Sequence, residues 1–187
     1  MIKDGIGGAN TQTGLKFERE RDLPTFLSSK NGYTVTENDR KGVTNSRWNV
    51  FFKGKLVGEI FRGHGLYRYF DEIRDYNWKK IISKKILPDD SIFVISKNTV
   101  HIIEKKTQKV NGSVDEKLQT CDFKKKQYKK LFAPLNKEVE YMYLLEKSWF
   151  NNHQYKDTLD YIISVGCSYY FDFIPLEKLG LPIPNDD

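Results

Sequence analysis

Two apolar, β-branched runs, Ser91–Ser96 and Thr99–Ile103, flank the polar pair Lys97-Asn98, and the pattern predicts a β-hairpin with those two residues as its turn. With that turn, Ser96 faces Thr99, so paired residue numbers sum to 195, Ser91 faces Glu104 and Asp89 faces Lys106. Directly paired residues share a sheet face, as do residues two apart on one strand. Asp89, Glu104 and Lys106 therefore project from one face at the open end of the hairpin, and Asp90 and Lys105 from the other. A one-residue slip exchanges Asp89 for Asp90.

The pattern elsewhere alternates between the two periods. Leu15, Phe17, Leu23, Phe26 and Leu27 predict a helix from Thr13 or Gly14 to about Ser29. Residues 30–47 are polar and loop-like. Arg47–Phe52 and Lys55–Phe61 alternate around Lys53-Gly54 and predict a second hairpin. Leu66–Ile86 has helical spacing, and Pro88 stops it. Ser113 and Glu116 form a capping box for a helix running to about Phe132, before Pro134. Glu138–Leu145 reads as a strand, Ser148–Asp157 as a polar turn or short helix, Thr158–Val165 as a buried strand or helix end, and Tyr169–Ile174 as a strand. Pro175–Pro182 is a closing turn. This order suits an α/β domain with a central mixed β-sheet flanked by helices.

Composition narrows the class. A chain of 187 residues is expected to form one domain with a real core, here rich in aromatic anchors: 12 Phe, 11 Tyr and 3 Trp. Net charge is +6, which fits a polyanionic partner. Cys121 and Cys167 have no metal-ligand spacing and read as reduced thiols of a cytoplasmic protein. The first residues have no apolar leader core, and no run approaches a membrane span, so no membrane partner is expected.

Asp89, Glu104 and Lys106 on one face admit two readings. The bland one is a turn acid followed by a Glu/Lys pair on a half-solvated strand. The chemical one is a site in which two carboxylates hold a divalent metal and a lysine orients an attacking water and offsets phosphate charge. Similar pairs of readings attach to the basic residues. Asp122–Lys130 is the most basic stretch, and its Lys124, Lys125 and Lys126 either neutralise a DNA backbone or form a solvated face. The polar segment Ser113–Lys117 beside it is expected to approach DNA as well. Arg62 and Arg68, interleaved with Tyr67, Tyr69 and Phe70, either hold phosphates or are solvated beside core aromatics. His64, between two glycines, lacks the surroundings of a ββα-metal nuclease.

Pro88-Asp89, an apolar hairpin and Glu104-Lys105-Lys106, with 15 residues from Asp89 to Glu104, resemble the signature of the PD-(D/E)XK nucleases. Gly7–Glu18 and Asn111–Leu118 resemble segments of type II restriction endonucleases, so the resemblance covers roughly residues 5–175. It implies a restriction-endonuclease-like fold throughout residues 1–187, without a separate DNA-recognition domain, and Mg2+-dependent hydrolysis of double-stranded DNA to 5′-phosphate and 3′-hydroxyl ends. Asp89, Glu104 and the Lys105 carbonyl would hold the metal, and Lys106 would position or activate water. Glu18, matching an acid on the first helix that reaches the metal, and Gln108, two residues past Lys106, would assist. The flanking segments look most like the small cleavage subunit of a heterodimeric type IIS enzyme, which takes its specificity from a larger subunit. A self-sufficient homodimeric restriction enzyme, and a repair or recombination nuclease of the same superfamily, are the alternatives.

Overall fold

A computed structural model describes residues 14–16, 22–39, 44–107 and 114–184. Its centre is a seven-stranded mixed sheet in the order β2-β3-β4-β5-β6-β7-β8. The strands are β2 (Tyr33–Glu37), β3 (Arg47–Phe52), β4 (Lys55–Phe61), β5 (Asp90–Val94), β6 (Thr99–Lys106), β7 (Glu138–Leu145) and β8 (Ser168–Phe171). Strands β2 to β6 form an antiparallel meander. Strands β6, β7 and β8 are parallel, so helices must carry the chain back across the sheet between them. Helices α3 (Val114–Leu118) and α4 (Cys121–Phe132) make the first crossover, and α5 (Lys147–Phe150) and α6 (Lys156–Ser164) the second. A separate two-stranded sheet pairs β1 (Gly14–Lys16) with β9 (Phe173–Pro175).

The period-2 alternation of the central strands builds a core on each face. Val100 and Ile102 of β6, with Tyr141, Tyr143 and Leu145 of β7, pack against α4, α6 and α2 (Gly65–Glu72). Ile103, Met142 and Leu144 turn the other way, onto Leu23, Phe26 and Leu27 of α1 (Leu23–Ser28) and the closing turn Leu176–Leu179. Among the described residues, no helix is long and apolar enough to cross a membrane.

Several elements depart from the sequence expectation for identifiable reasons. The first helix starts at Leu23, because Asp22 caps it by accepting the Thr25 N–H at 2.9 Å and a proline occupies its first turn. Gly14–Lys16 is a strand instead. The expected loop at 30–47 contains β2, whose Tyr-Thr-Val-Thr run pairs with β3. The long helix expected over Leu66–Ile86 ends at Glu72. Asp75 has φ 60°, and Asn77 starts a separate 3-10 turn by accepting the Lys79 N–H. The helix expected over Ser113–Phe132 is broken between Leu118 and Cys121, where Thr120 Oγ donates back to the Lys117 carbonyl at 2.7 Å. The last expected strand is split at Asp172, in the left-handed region at φ 55°, whose carboxylate caps α5 by accepting the Lys147 N–H.

The central hairpin forms with a longer turn than expected. Ile95–Lys97 makes a 3-10 turn and Asn98 takes the left-handed conformation. Asp90 therefore faces Ile103 and Val94 faces Thr99, so paired numbers sum to 193 rather than 195. A shift of two residues preserves every side chain's face.

Candidate active site

The site lies where the β5 ladder ends. The last β5–β6 pair is Asp90 with Ile103, and continuing that register sets Asp89 across from Glu104. Asp89 extends the ladder with its side chain: Oδ2 accepts the Lys105 N–H at 3.0 Å. This contact fixes the carboxylate beside the end of β6.

Glu104 and Lys106 follow on the same face of β6. Lys106 Nζ donates to Glu104 Oε2 at 3.0 Å, to Asp89 Oδ2 at 3.3 Å and to the Lys105 carbonyl at 3.1 Å. Three oxygens from three residues thus converge on one cationic nitrogen. Burial disfavours the ammonium, but the Glu104 and Asp89 carboxylates outweigh that effect and raise the Lys106 pKa above its ordinary value. Lys106 is therefore a donor in this arrangement, charged at neutral pH.

Glu104 is the most enclosed of the three, with its side chain only 4% exposed. The rings of Tyr128, Tyr141 and Tyr143 are buried in the same core, on the α4 side of the sheet. Burial, reinforced by the Glu104 charge, pushes the phenols of Tyr128 and Tyr141 far up, so they stay neutral. A second lysine reaches Glu104 from α4: Lys124 Nζ lies 3.2 Å from Oε2. The other carboxylate oxygen, Oε1, is buried and has no hydrogen-bond partner among the described residues.

A different network occupies the opposite face. Asp90 is 2% exposed, and its Oδ2 pairs with Lys105 Nζ at 2.9 Å. Its Oδ1 pairs with Arg62 Nη2 at 3.2 Å, and Arg62 Nη1 reaches Asp22 Oδ2 at 3.0 Å. The choice between Asp89 and Asp90 left by the sequence is resolved by this geometry: only Asp89 shares a face with Glu104 and Lys106.

The remaining sequence candidates divide. Arg62 is held in the Asp22–Asp90 network, and Arg68 pairs with Asp39 at 2.9 and 3.1 Å and donates to Ser46 Oγ. Lys125 does not join an open lysine face. It is buried, donating to the Gly166 carbonyl and to Glu140 at 3.4 Å. Lys117 and Lys126 are exposed, the latter 2.7 Å from Asp122. Glu18 and Gln108 lie outside the described residues. Neither sequence reading of Lys124, a DNA-backbone contact or a solvated face, contains its contact with Glu104. Helical spacing did set Lys124 one turn before the buried Tyr128, on the flank of the packed face.

The donor set consists of two carboxylates and a main-chain carbonyl, all hard oxygens of the kind Mg2+ takes. Among the described residues, no group of three or more His, Cys, Asp or Glu side chains gathers to hold a metal. The fit rests instead on two observations: three oxygens already surround a cation, and Glu104 Oε1 is buried without a partner among the described residues. Mg2+ commonly completes its shell with water and substrate phosphate, so a short protein donor set is no obstacle.

No family model, curated protein or solved structure matches this chain.

Proposed function

We propose that the chain is a Mg2+-dependent DNA endonuclease with a PD-(D/E)XK active site and the corresponding fold. The observation carrying this reading is the meeting of Asp89, Glu104 and Lys106 within 3.3 Å on one sheet face, at the signature spacing. Asp89, Glu104 and the Lys105 carbonyl would hold the metal. Bound there, Mg2+ would supply positive charge to the scissile phosphate and acidify a water.

The protein's own part is positional and electrostatic. The Lys106 ammonium donates to the attacking water or to a non-bridging phosphate oxygen, orienting the one and stabilising charge on the other. The water oxygen forms a bond to phosphorus as the bond from phosphorus to the 3′ oxygen breaks. The attacking water releases a proton to solvent and the departing 3′ oxygen takes one from solvent, leaving a 3′-hydroxyl and a 5′-phosphate. Lys117 and Lys126, exposed on the crossover helices α3 and α4, provide charge for the DNA backbone.

One such site cuts one strand. We assign the chain to the small cleavage subunit of a heterodimeric type IIS restriction enzyme, with a larger subunit reading the sequence and cutting the other strand. The segments resembling such subunits support this assignment. The test is cleavage of supercoiled plasmid in Mg2+ and in EDTA, by the chain alone and with a larger subunit encoded beside it. Inactivity alone with nicking in the presence of the partner supports the dependent subunit. Double-strand cutting at discrete sites by the chain alone supports the homodimeric restriction enzyme, and preference for branched DNA supports a recombination nuclease. Failure to cut under any of these conditions overturns the assignment.

A further inference from the structure

We infer that Lys124 is a positioning residue that holds Glu104 in its metal-binding orientation, an inference that rests on the nuclease reading above. Glu104 is enclosed, and a buried carboxylate needs hydrogen bonds to hold it in one orientation. Two ammonium groups share its Oε2, Lys106 at 3.0 Å and Lys124 at 3.2 Å. They differ in what else they touch. Lys106 also takes Asp89 Oδ2 and the Lys105 carbonyl, the oxygens that a metal needs. A divalent cation entering there competes directly with Lys106 for Asp89 Oδ2 and the Lys105 carbonyl.

Lys124 approaches Glu104 from a separate element and leaves the other two oxygens free of its own contact. Its helix is well anchored. The neighbouring Lys125 is buried on the Gly166 carbonyl, and Tyr128 Oη donates to the Ile86 carbonyl at 3.1 Å. Lys124 can therefore keep Oε2 when Lys106 turns toward water or phosphate. With Oε2 retained, Oε1 is the oxygen left for the metal, and among the described residues it has no hydrogen-bond partner. Hydrogen-bond partners behind a metal ligand fix its orientation, and their loss commonly costs roughly 10–100-fold in metal affinity.

The test is calorimetric titration of Mn2+ into the DNA-free chain, comparing wild type with Lys124→Met, Lys124→Arg and Lys106→Ala. A lysine acting only as a repelling charge would, on removal, strengthen cation binding. Positioning gives the opposite sign. Lys124→Met is expected to weaken Mn2+ binding by about tenfold or more. Lys124→Arg, which can still donate to Oε2, is expected to restore most of it, and Lys106→Ala to bind at least as tightly as wild type. Met conserves the length of the aliphatic stem, and a thermal melt verifies that the variant is folded. If Lys124→Met fails to fold, Lys124→Leu, which also lacks a donor, carries the comparison. Unchanged or tighter binding in folded Lys124→Met, or in Lys124→Leu where it replaces it, with wild type binding Mn2+, overturns the positioning role alone. No Mn2+ binding by wild type overturns both that role and the nuclease reading.

Discussion

Asp89 and Asp90 are adjacent in the chain and serve opposite faces of the sheet. Asp89 Oδ2 lies 3.3 Å from Lys106 Nζ, and Asp90 Oδ2 lies 2.9 Å from Lys105 Nζ. Half-exposed Asp89 stands at the site, whereas Asp90 is sealed against Arg62. Their substitutions should separate. Asp89→Asn is expected to remove cleavage while leaving urea stability close to wild type. Asp90→Asn breaks a buried ion pair and should lower stability by about 3 kcal/mol, the lower end of the usual cost, because Arg62 keeps Asp22. Stability loss confined to Asp89→Asn would contradict this division.

The lysines of α4 should divide in the same way. Lys126→Ala, and Lys117→Ala on α3, should each reduce the slope of log affinity against log salt by about 0.9 if the residue neutralises one DNA phosphate. Lys125→Met should leave that slope unchanged. It removes the donor to the Gly166 carbonyl and should destabilise by about 1–3 kcal/mol. Binding titrations across a salt series, paired with urea unfolding, measure both effects.

His101, on the face of β6 opposite Glu104, gives stability a pH dependence. Burial disfavours the imidazolium; the Glu140 carboxylate and the Leu179 backbone oppose this, and the net effect lowers its pKa below the ordinary 6.5. As pH falls through about 6.5, the unfolded chain takes a proton that the folded chain refuses. Stability should fall over the interval between the ordinary value and the lowered one, and this contribution should level off below it. The stability difference between wild type and His101→Gln should shift against wild type as pH is lowered from 7.5 to 5. Parallel pH profiles in urea unfolding would contradict the assignment.

The site was more legible in the sequence than its surroundings. The period of two placed Asp89, Glu104 and Lys106 together even though the turn was misjudged, because an error of two residues leaves each side chain on its face. The second hairpin was marked by Lys53-Gly54, both at positive φ. Local chemistry obscured the rest. Asn77 and Asp172 cap new elements within runs that read as continuous, and β2 hides between polar flanks. The Glu104–Lys124 contact joins residues of a strand and a crossover helix. Helical spacing locates the lysine on α4, but only the packing of that helix on β7 brings it to β6. The same holds for Lys125, whose buried position depends on where β8 begins.

The most direct test of the central claim compares wild type with Lys106→Ala for nicking of supercoiled plasmid in Mg2+, with the proposed larger subunit present. Loss of a transition-state charge partner of this kind commonly costs about 100–1000-fold, so the variant's rate should fall by at least two orders of magnitude while its fold is retained. Mg2+-dependent nicking at the wild-type rate by Lys106→Ala would contradict the active-site assignment.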